Sequence, residues 1–281
     1  MPVSTLAQLI NDVVNIWEKY SSLYFSGMLN TIILALVSTI LGCLIGFGCG
    51  IIQTIPTYKN DNILKKGFVF LLKAIIRIYV EVFRGTPMVL QAVFIYYGLS
   101  YFTNNLVNFS NVWSCAIFVV SINTGAYMTE TVRGGILSID KGQSEGAKAI
   151  GMNHFQTMLH VVFPQTLRNI LPQIGNNYII NIKDTSVMFI ISFTELFAVH
   201  KSIAGATFQF FPSATIEMIA YLTLTLISSL LLRLWERNLT TEKSYQLASL
   251  DQLTATSGIL NSPYKGSIFD ERHIETDKGE K

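Results

Sequence analysis

The sequence predicts an all-α membrane protein: five transmembrane helices, the N-terminus outside and the C-terminus cytoplasmic, with a long cytoplasmic loop between spans three and four. Three observations carry that prediction. Half of the 281 residues are apolar and only 14% are charged; with a mean hydropathy of +0.42, this is not the balance of a water-soluble globule. Gly27 to Ile55 contains no charged side chain, and it exceeds the roughly 20 apolar residues needed to cross about 30 Å of hydrocarbon. The Lys and Arg between apolar stretches also fall mainly in alternate loops, which the positive-inside rule places in the cytoplasm.

Residues 1–26 form an N-terminal segment whose Leu6, Leu9, Ile10, Val13, Val14 and Trp17 share one helical face. That pattern fits an interfacial helix on the outer leaflet, or a frayed lead-in. Asp12 and Glu18 interrupt the segment, and no basic stretch precedes an apolar core, so no secretory signal is expected. The membrane domain spans 27–237. Its first span is Gly27 to Ile55, the second ends near Tyr101, the third runs from Val112 to Val132, the fourth from Leu171 to Phe197 and the fifth from Ser213 to Leu234. Lys59, Lys65, Lys66, Lys73 and Arg77 follow the first span; Arg133, Lys141, Lys148 and Arg168 follow the third; Arg237 and Lys243 follow the fifth. The opposite side carries only Lys19 and Lys201. Residues 238–281 form a polar cytoplasmic tail with little fixed structure expected, apart from a helical continuation to about Leu250.

Other classes drop out on charge and spacing. A net charge of +2 with no basic run interleaved with aromatics excludes nucleic acid. Cys43, Cys49 and Cys115 lie in apolar stretches without a C-x-x-C pair, and His154, His160, His200 and His273 show no metal spacing. No nucleophile stands beside a base, so an integral-membrane enzyme is not supported.

Charges inside hydrocarbon cost about 2.5–3.5 kcal/mol each, so their positions are informative. Lys73, Arg77, Glu81 and Arg84 form one helical stripe on a run too long to span upright; Arg84, Gly85, Thr86 and Pro87 predict a break or kink after an entry segment along the cytoplasmic interface. Lys183 and Asp184 sit near the middle of the fourth span. Either the helix opens there or each charge finds a partner, Arg84 for Asp184 and Glu130 or Glu81 for Lys183. Asn177, Asn181, Asp184 and Thr185 share a face; Asn123, Tyr127 and Glu130 form a second stripe, and Asn30, Thr31 and Ser38 a weaker one. Such stripes either glue helices together or line a hydrophilic path. Glue explains the Asn and Thr well; charges at mid-depth favour the path.

In the loop between spans three and four, Ser144 is expected to cap a short helix from Glu145, Gly151 to end or bend it, and Pro164 to stop a second helix. This loop resembles that of the membrane subunit of binding-protein-dependent ABC importers. The family's signature is Glu-Ala-Ala, three residues, Gly, nine residues, then an aliphatic residue, any residue, Leu and Pro. Here Glu145, Gly146, Ala147, Gly151, Val161, Phe163 and Pro164 stand at those places, with Gly146 and Phe163 as departures. FRGTP with Gln91, FIYYG, GAY-x-x-E-x-x-RGG from Gly125, KGQ-x-E from Lys141, FPQ-x-x-R, and KDTS from Lys183 with a later Glu195 and Leu196 narrow the resemblance to polar amino-acid permeases of the histidine, arginine and glutamine type.

The resemblance implies a bacterial cytoplasmic (inner) membrane, multi-pass subunit whose 133–170 loop docks a coupling helix on a separate ATPase through Ser144, Glu145, Gly146, Ala147 and Gly151. It further implies two ATPase subunits, which hold ATP and Mg, a second permease copy or paralogue, and an extracytoplasmic amino-acid-binding protein. The chain itself carries no cofactor in this reading. No Gly is followed by Lys anywhere, so the Gly-x-x-x-x-Gly-Lys phosphate loop is absent and ATP must be hydrolysed elsewhere. Candidate path residues are Asn123, Tyr127, Glu130, Asn177, Asn181, Asp184 and Thr185, with Arg84, Pro87 and Lys183 as kink or ion-pair residues. The alternative is an ion-coupled secondary carrier using Asp184 and Glu130 as protonation sites.

Overall fold

A computed structural model describes residues 3–57 and 62–239. Among the described residues every regular element is a helix, without strands: α1 (Val3–Thr54), α2 (Ile63–Gly85), α3 (Met88–Val93), a π turn (Phe94–Gly98), α4 (Leu99–Phe102), α5 (Val112–Leu137), α6 (Lys141–Ala149), α7 (His154–Thr157), a second π turn (Met158–Val162), α8 (Phe163–Asp184), a 3-10 helix (Thr185–Ile191), α9 (Leu196–Thr207) and α10 (Phe210–Leu239). Among the described residues, three helices are long and apolar enough to cross a membrane, or four when the bent pair His154–Ile191 and Leu196–Thr207 counts as one. From residue 240 onward the tail lies outside the described residues, as does Lys59.

Residues 3–26 do not separate from the first span. With no Gly or Pro from Val3 to Ser26 to interrupt it, α1 is continuous over 52 residues. Ile16 and Tyr24 are buried against Leu196, Val199 and Ile203 of α9 and Ile216 of α10. Farther along, Gly42, Gly46 and Gly50 recur every four residues on the face that meets α5. A Cβ at Gly42 would stand 2.6 Å from Thr124 Cβ, one at Gly50 2.7 Å from Val132 Cγ1, and one at Gly46 would overlap Met128. Glycine therefore sets how closely the two helices approach, the small-residue solution that apolar surroundings favour.

The break after α2 forms where expected. Thr86 is extended (φ −121°, ψ 146°), and Pro87 precedes α3, having no N–H to continue the ladder. At Lys183 and Asp184 the chain stays helical but changes type: α8 ends at Asp184 and tightens into the 3-10 helix, so it does not open there. Ser192 then adopts a left-handed conformation (φ 65°), and α9 leaves at 52°.

The loop between α5 and α8 differs from expectation in two details. Asp140, not Ser144, caps α6: its Oδ1 accepts from Gly142 N at 2.6 Å, placing Ser144 within the helix. Gly151 does end the helix turn at φ +88°, with Gly151 N donating to Lys148 O at 3.0 Å. Pro164 stops nothing; it occupies the first turn of α8, where a missing N–H is harmless, and the π turn before it absorbs the change of register. Asn153 and Gln156 close a capping box at the start of α7, with bonds of 2.9 and 3.0 Å.

Candidate functional site

The predicted polar residues fall into two groups once the helices are assembled. The amides work inside the protein. Asn181 is buried between three helices; its Nδ2 donates to Thr39 Oγ1 of α1 at 2.8 Å and Thr124 Oγ1 of α5 at 3.0 Å. Asn177 is buried as well, and its Nδ2 donates to Gln173 O at 3.0 Å and approaches Met128 Sδ at 3.2 Å. Thr185 is fully buried and donates to Ile182 O. Asn123 Nδ2 donates to Phe83 O and Gln91 Oε1, both at 3.1 Å, tying α5 to the end of α2 and to α3.

The charges behave differently. Arg84 reaches Glu130, not Asp184: its guanidinium makes an ion pair with the Glu130 carboxylate, and the two side chains stay 38% and 44% exposed. Arg84 also lies over the Tyr127 ring, 5.2 Å from its centre. The expected pairing failed because α2 stops at the Gly85–Pro87 break beside α5, so its last side chains meet the Tyr127 and Glu130 face first. Lys183 is exposed and Asp184 half-buried at the junction of α8 and the 3-10 helix. Thus Arg84, Tyr127 and Glu130 form one open cluster, which Asn177, Asn181 and Thr185 do not join. Lower on α2, Lys73 Nζ donates to Ile55 O at 2.7 Å, closing off the end of α1.

On the loop between α5 and α8, Glu145 and Gly146 are exposed on α6, Ser144 is half-buried and Ala147 is buried at 5% exposure. A Cβ at Gly146 or Gly151 would meet nothing, so these glycines leave an open surface rather than a packed one. Gln165 Nε2 of α8 donates to Gln143 Oε1 at 3.4 Å and to Val161 O at 2.8 Å.

A third polar cluster was marked in the sequence only at Glu195, and its partners were not. Glu195 is fully buried and caps α9, accepting from Phe197 N at 2.7 Å, Ala198 N at 2.8 Å and Tyr221 OH at 2.8 Å. Nearby, His200 Nδ1 and Ser213 Oγ are 2.9 Å apart, Ser213 Oγ and Tyr24 OH 2.7 Å, and His200 Nε2 stands 3.8 Å from Glu217 Oε2. The sequence signal was Glu195 with Leu196, the later part of the KDTS phrase, and no spacing tied it to Ser213 or Glu217. An open cavity of about 770 Å³ lies elsewhere, among Tyr96, Tyr97, Ser100, Asn104, Asn105 and Asn108, and no predicted path residue lines it.

The family described as "binding-protein-dependent transport system inner membrane component" matches residues 63–241. The chain belongs to this family. It is 34% identical over 188 residues to the octopine transport system permease protein OccM of Rhizobium radiobacter, covering 64% of this chain and 71% of that one. It is 32% identical over 194 residues to the arginine transport system permease protein ArgU of Corynebacterium glutamicum, covering 63% and 57%. Against the glutamine transport system permease protein GlnP of Escherichia coli K12, identity reaches 40% over 114 residues, 41% of this chain and about half (51%) of that one. Among solved structures, an amino acid ABC transporter crystallised with histidines superposes with a TM-score of 0.67 at 32% identity, over 78% of this chain and 95% of that one. The MetNI methionine ABC transporter shares the fold, with a TM-score of 0.63 at 17% identity over 79% and 99%. The ABC permease fold is therefore established, and the matched relatives are transport subunits.

Proposed function

We propose that this chain is the gate of an ATP-driven importer of polar amino acids in the bacterial inner membrane. It crosses the membrane five times with the N-terminus outside, and the stretch from α2 through α4 serves as the second crossing. It pairs with a second permease subunit and works with two ATPase subunits, which bind ATP and Mg, and with an extracytoplasmic amino-acid-binding protein. The names of the permeases it resembles support the substrate class.

One observation carries the path: the Arg84–Glu130 pair remains more than a third exposed, beside the exposed Tyr127 ring. Against lipid, such charges would cost about 2.5–3.5 kcal/mol each, so this face belongs against water or a second protein chain. Arg84, Tyr127 and Glu130, with Asp184 and Lys183 at the junction of α8 and the 3-10 helix, offer paired charges and an aromatic face to a zwitterionic solute. Asn123, Asn177, Asn181 and Thr185 keep the helices that carry them in register. Nucleotide binding on the partner drives α6 through Ser144, Glu145, Gly146 and Ala147, with Gly151 as the pivot, and so biases the outward and inward states.

In vesicles containing the full importer, Asp184→Asn and Glu130→Gln are expected to cut ATP-driven amino-acid uptake about tenfold with little loss of thermal stability. Unchanged uptake with lowered stability would assign these residues to packing. A periplasm-silent reporter fused after Lys141 tests the orientation and should be active.

A further inference from the structure

From Gly85 to Thr129 the chain carries no charged side chain. Within that stretch the π turn Phe94–Gly98, α4 and the residues that follow line the open cavity of about 770 Å³. Its walls are aromatic rings and amides. Tyr96 and Tyr97 pack edge to face at 4.8 Å, and Tyr97 OH donates to Ile190 O of the 3-10 helix at 3.4 Å. Past α4 the chain turns through Asn104 and Asn105, both left-handed (φ 49° and 63°), a conformation asparagine accepts more readily than most residues. Asn105 N donates to Ser100 O at 2.9 Å, Ser100 Oγ donates to Asn105 Oδ1, and Asn108 Nδ2 donates to Asn105 O at 3.3 Å, so the turn is closed on itself. The cavity is thus built before any occupant arrives, which lowers the cost of filling it.

Tyr101 and Phe102 on the cavity wall and Leu106 in the turn are 78%, 72% and 88% exposed. Lipid does not account for them: Asn104, Asn105 and Asn108 stand exposed among the same residues, and amides facing hydrocarbon are costly. Exposed tyrosine, asparagine and serine around a turn are the side chains of protein-recognition loops, where rings supply rigid contact area and short amides supply adaptable hydrogen bonds. The Tyr101 hydroxyl and the Asn104 amide make no hydrogen bond among the described residues, which leaves both open to a partner. The family to which the chain belongs is described as binding-protein-dependent. We propose that this cavity is where the extracytoplasmic amino-acid-binding protein docks, through an uncharged surface element that seats against Tyr101 and Asn104. The inference rests on the permease reading above, which puts this connection on the outer side. With no charge on the permease wall, ring packing and amide hydrogen bonds hold the contact, and salt does not screen them. A free amino acid is the poorer occupant, because an open cavity of this size leaves much of so small a solute in water.

The test is the Kd between the permease–ATPase complex in lipid nanodiscs and the importer's binding protein, loaded with glutamine or arginine, whichever it retains, at about 50 and about 500 mM KCl. Tyr101→Ala should weaken docking about tenfold, and Asn104→Gly, which keeps the left-handed turn, about threefold, by the same factors at both salt concentrations. Asn104→Asp keeps the shape and adds a charge; it should weaken docking by a factor that changes with salt. Basal ATP hydrolysis without the binding protein should be unchanged in all three variants. Docking of unaltered strength in Tyr101→Ala and Asn104→Gly would overturn the assignment, and a raised KM for uptake alongside it would make the cavity an entry site for the solute instead. A loss in Tyr101→Ala that fades at high salt would overturn the uncharged contact. An unaltered complex that neither binds the loaded protein nor imports with ATP would strike the permease reading rather than the docking site.

Discussion

Glu195 and Glu130 are both carboxylates held in a largely apolar helical bundle, and their surroundings treat them in opposite ways. Glu195 is sealed from solvent, with two backbone N–H groups and the Tyr221 hydroxyl on its oxygens. Glu130 has one cation beside it and nearly half its side chain uncovered. A buried carboxylate with its acceptors used is part of the scaffold; one left open beside an arginine keeps capacity for a ligand. Residue type and depth alone do not separate the two. What separates them is how many donors the fold has aimed at each.

That contrast makes graded expectations. Glu195→Ala leaves two N–H groups at the head of α9 and the Tyr221 hydroxyl without their acceptor, and should lower the stability of the detergent-solubilised protein by about 3 kcal/mol, read from its thermal unfolding. Gly46→Leu forces α1 away from Met128 and should cost about 2 kcal/mol and reduce yield. Asn181→Ala removes the amide between Thr39 and Thr124 and should cost about 1 kcal/mol. Glu130→Gln should change stability by less than about 0.5 kcal/mol, because the exposed pair is worth little to folding, while impairing uptake more than Asn181→Ala does. A Glu130 variant as unstable as the Glu195 variant would erase the distinction.

The apolar runs, the Gly85–Pro87 break and the loop phrases from Lys141 to Pro164 were legible because each depends on local chemistry: length of apolar sequence, a missing proline donor, spacing of small residues. Partner choice was not legible. Arg84 meets Glu130 rather than Asp184 because of where α2 ends against α5, and no spacing rule reports that angle. Ser144 and Pro164 were misplaced for a related reason: Asp140 offered a better cap one turn earlier, and a proline in the first turn of a helix reads like one that terminates it. The Gly42, Gly46 and Gly50 repeat was present in the sequence and marks the α1–α5 contact directly. Glu195, His200 and Glu217 come together from two helices, and only the assembled bundle shows it.

The most direct measurement is amino-acid uptake into vesicles that hold the chain with its ATPase subunits and extracytoplasmic partner, comparing the unaltered α6 with a Glu145→Ala, Gly151→Ala double variant. Uptake should require ATP, persist when the proton gradient is collapsed, and fall at least about tenfold in the double variant while ATP hydrolysis loses its response to the loaded extracytoplasmic protein. Uptake by the chain alone, or uptake abolished by an uncoupler and indifferent to ATP, would contradict a gate driven through α6.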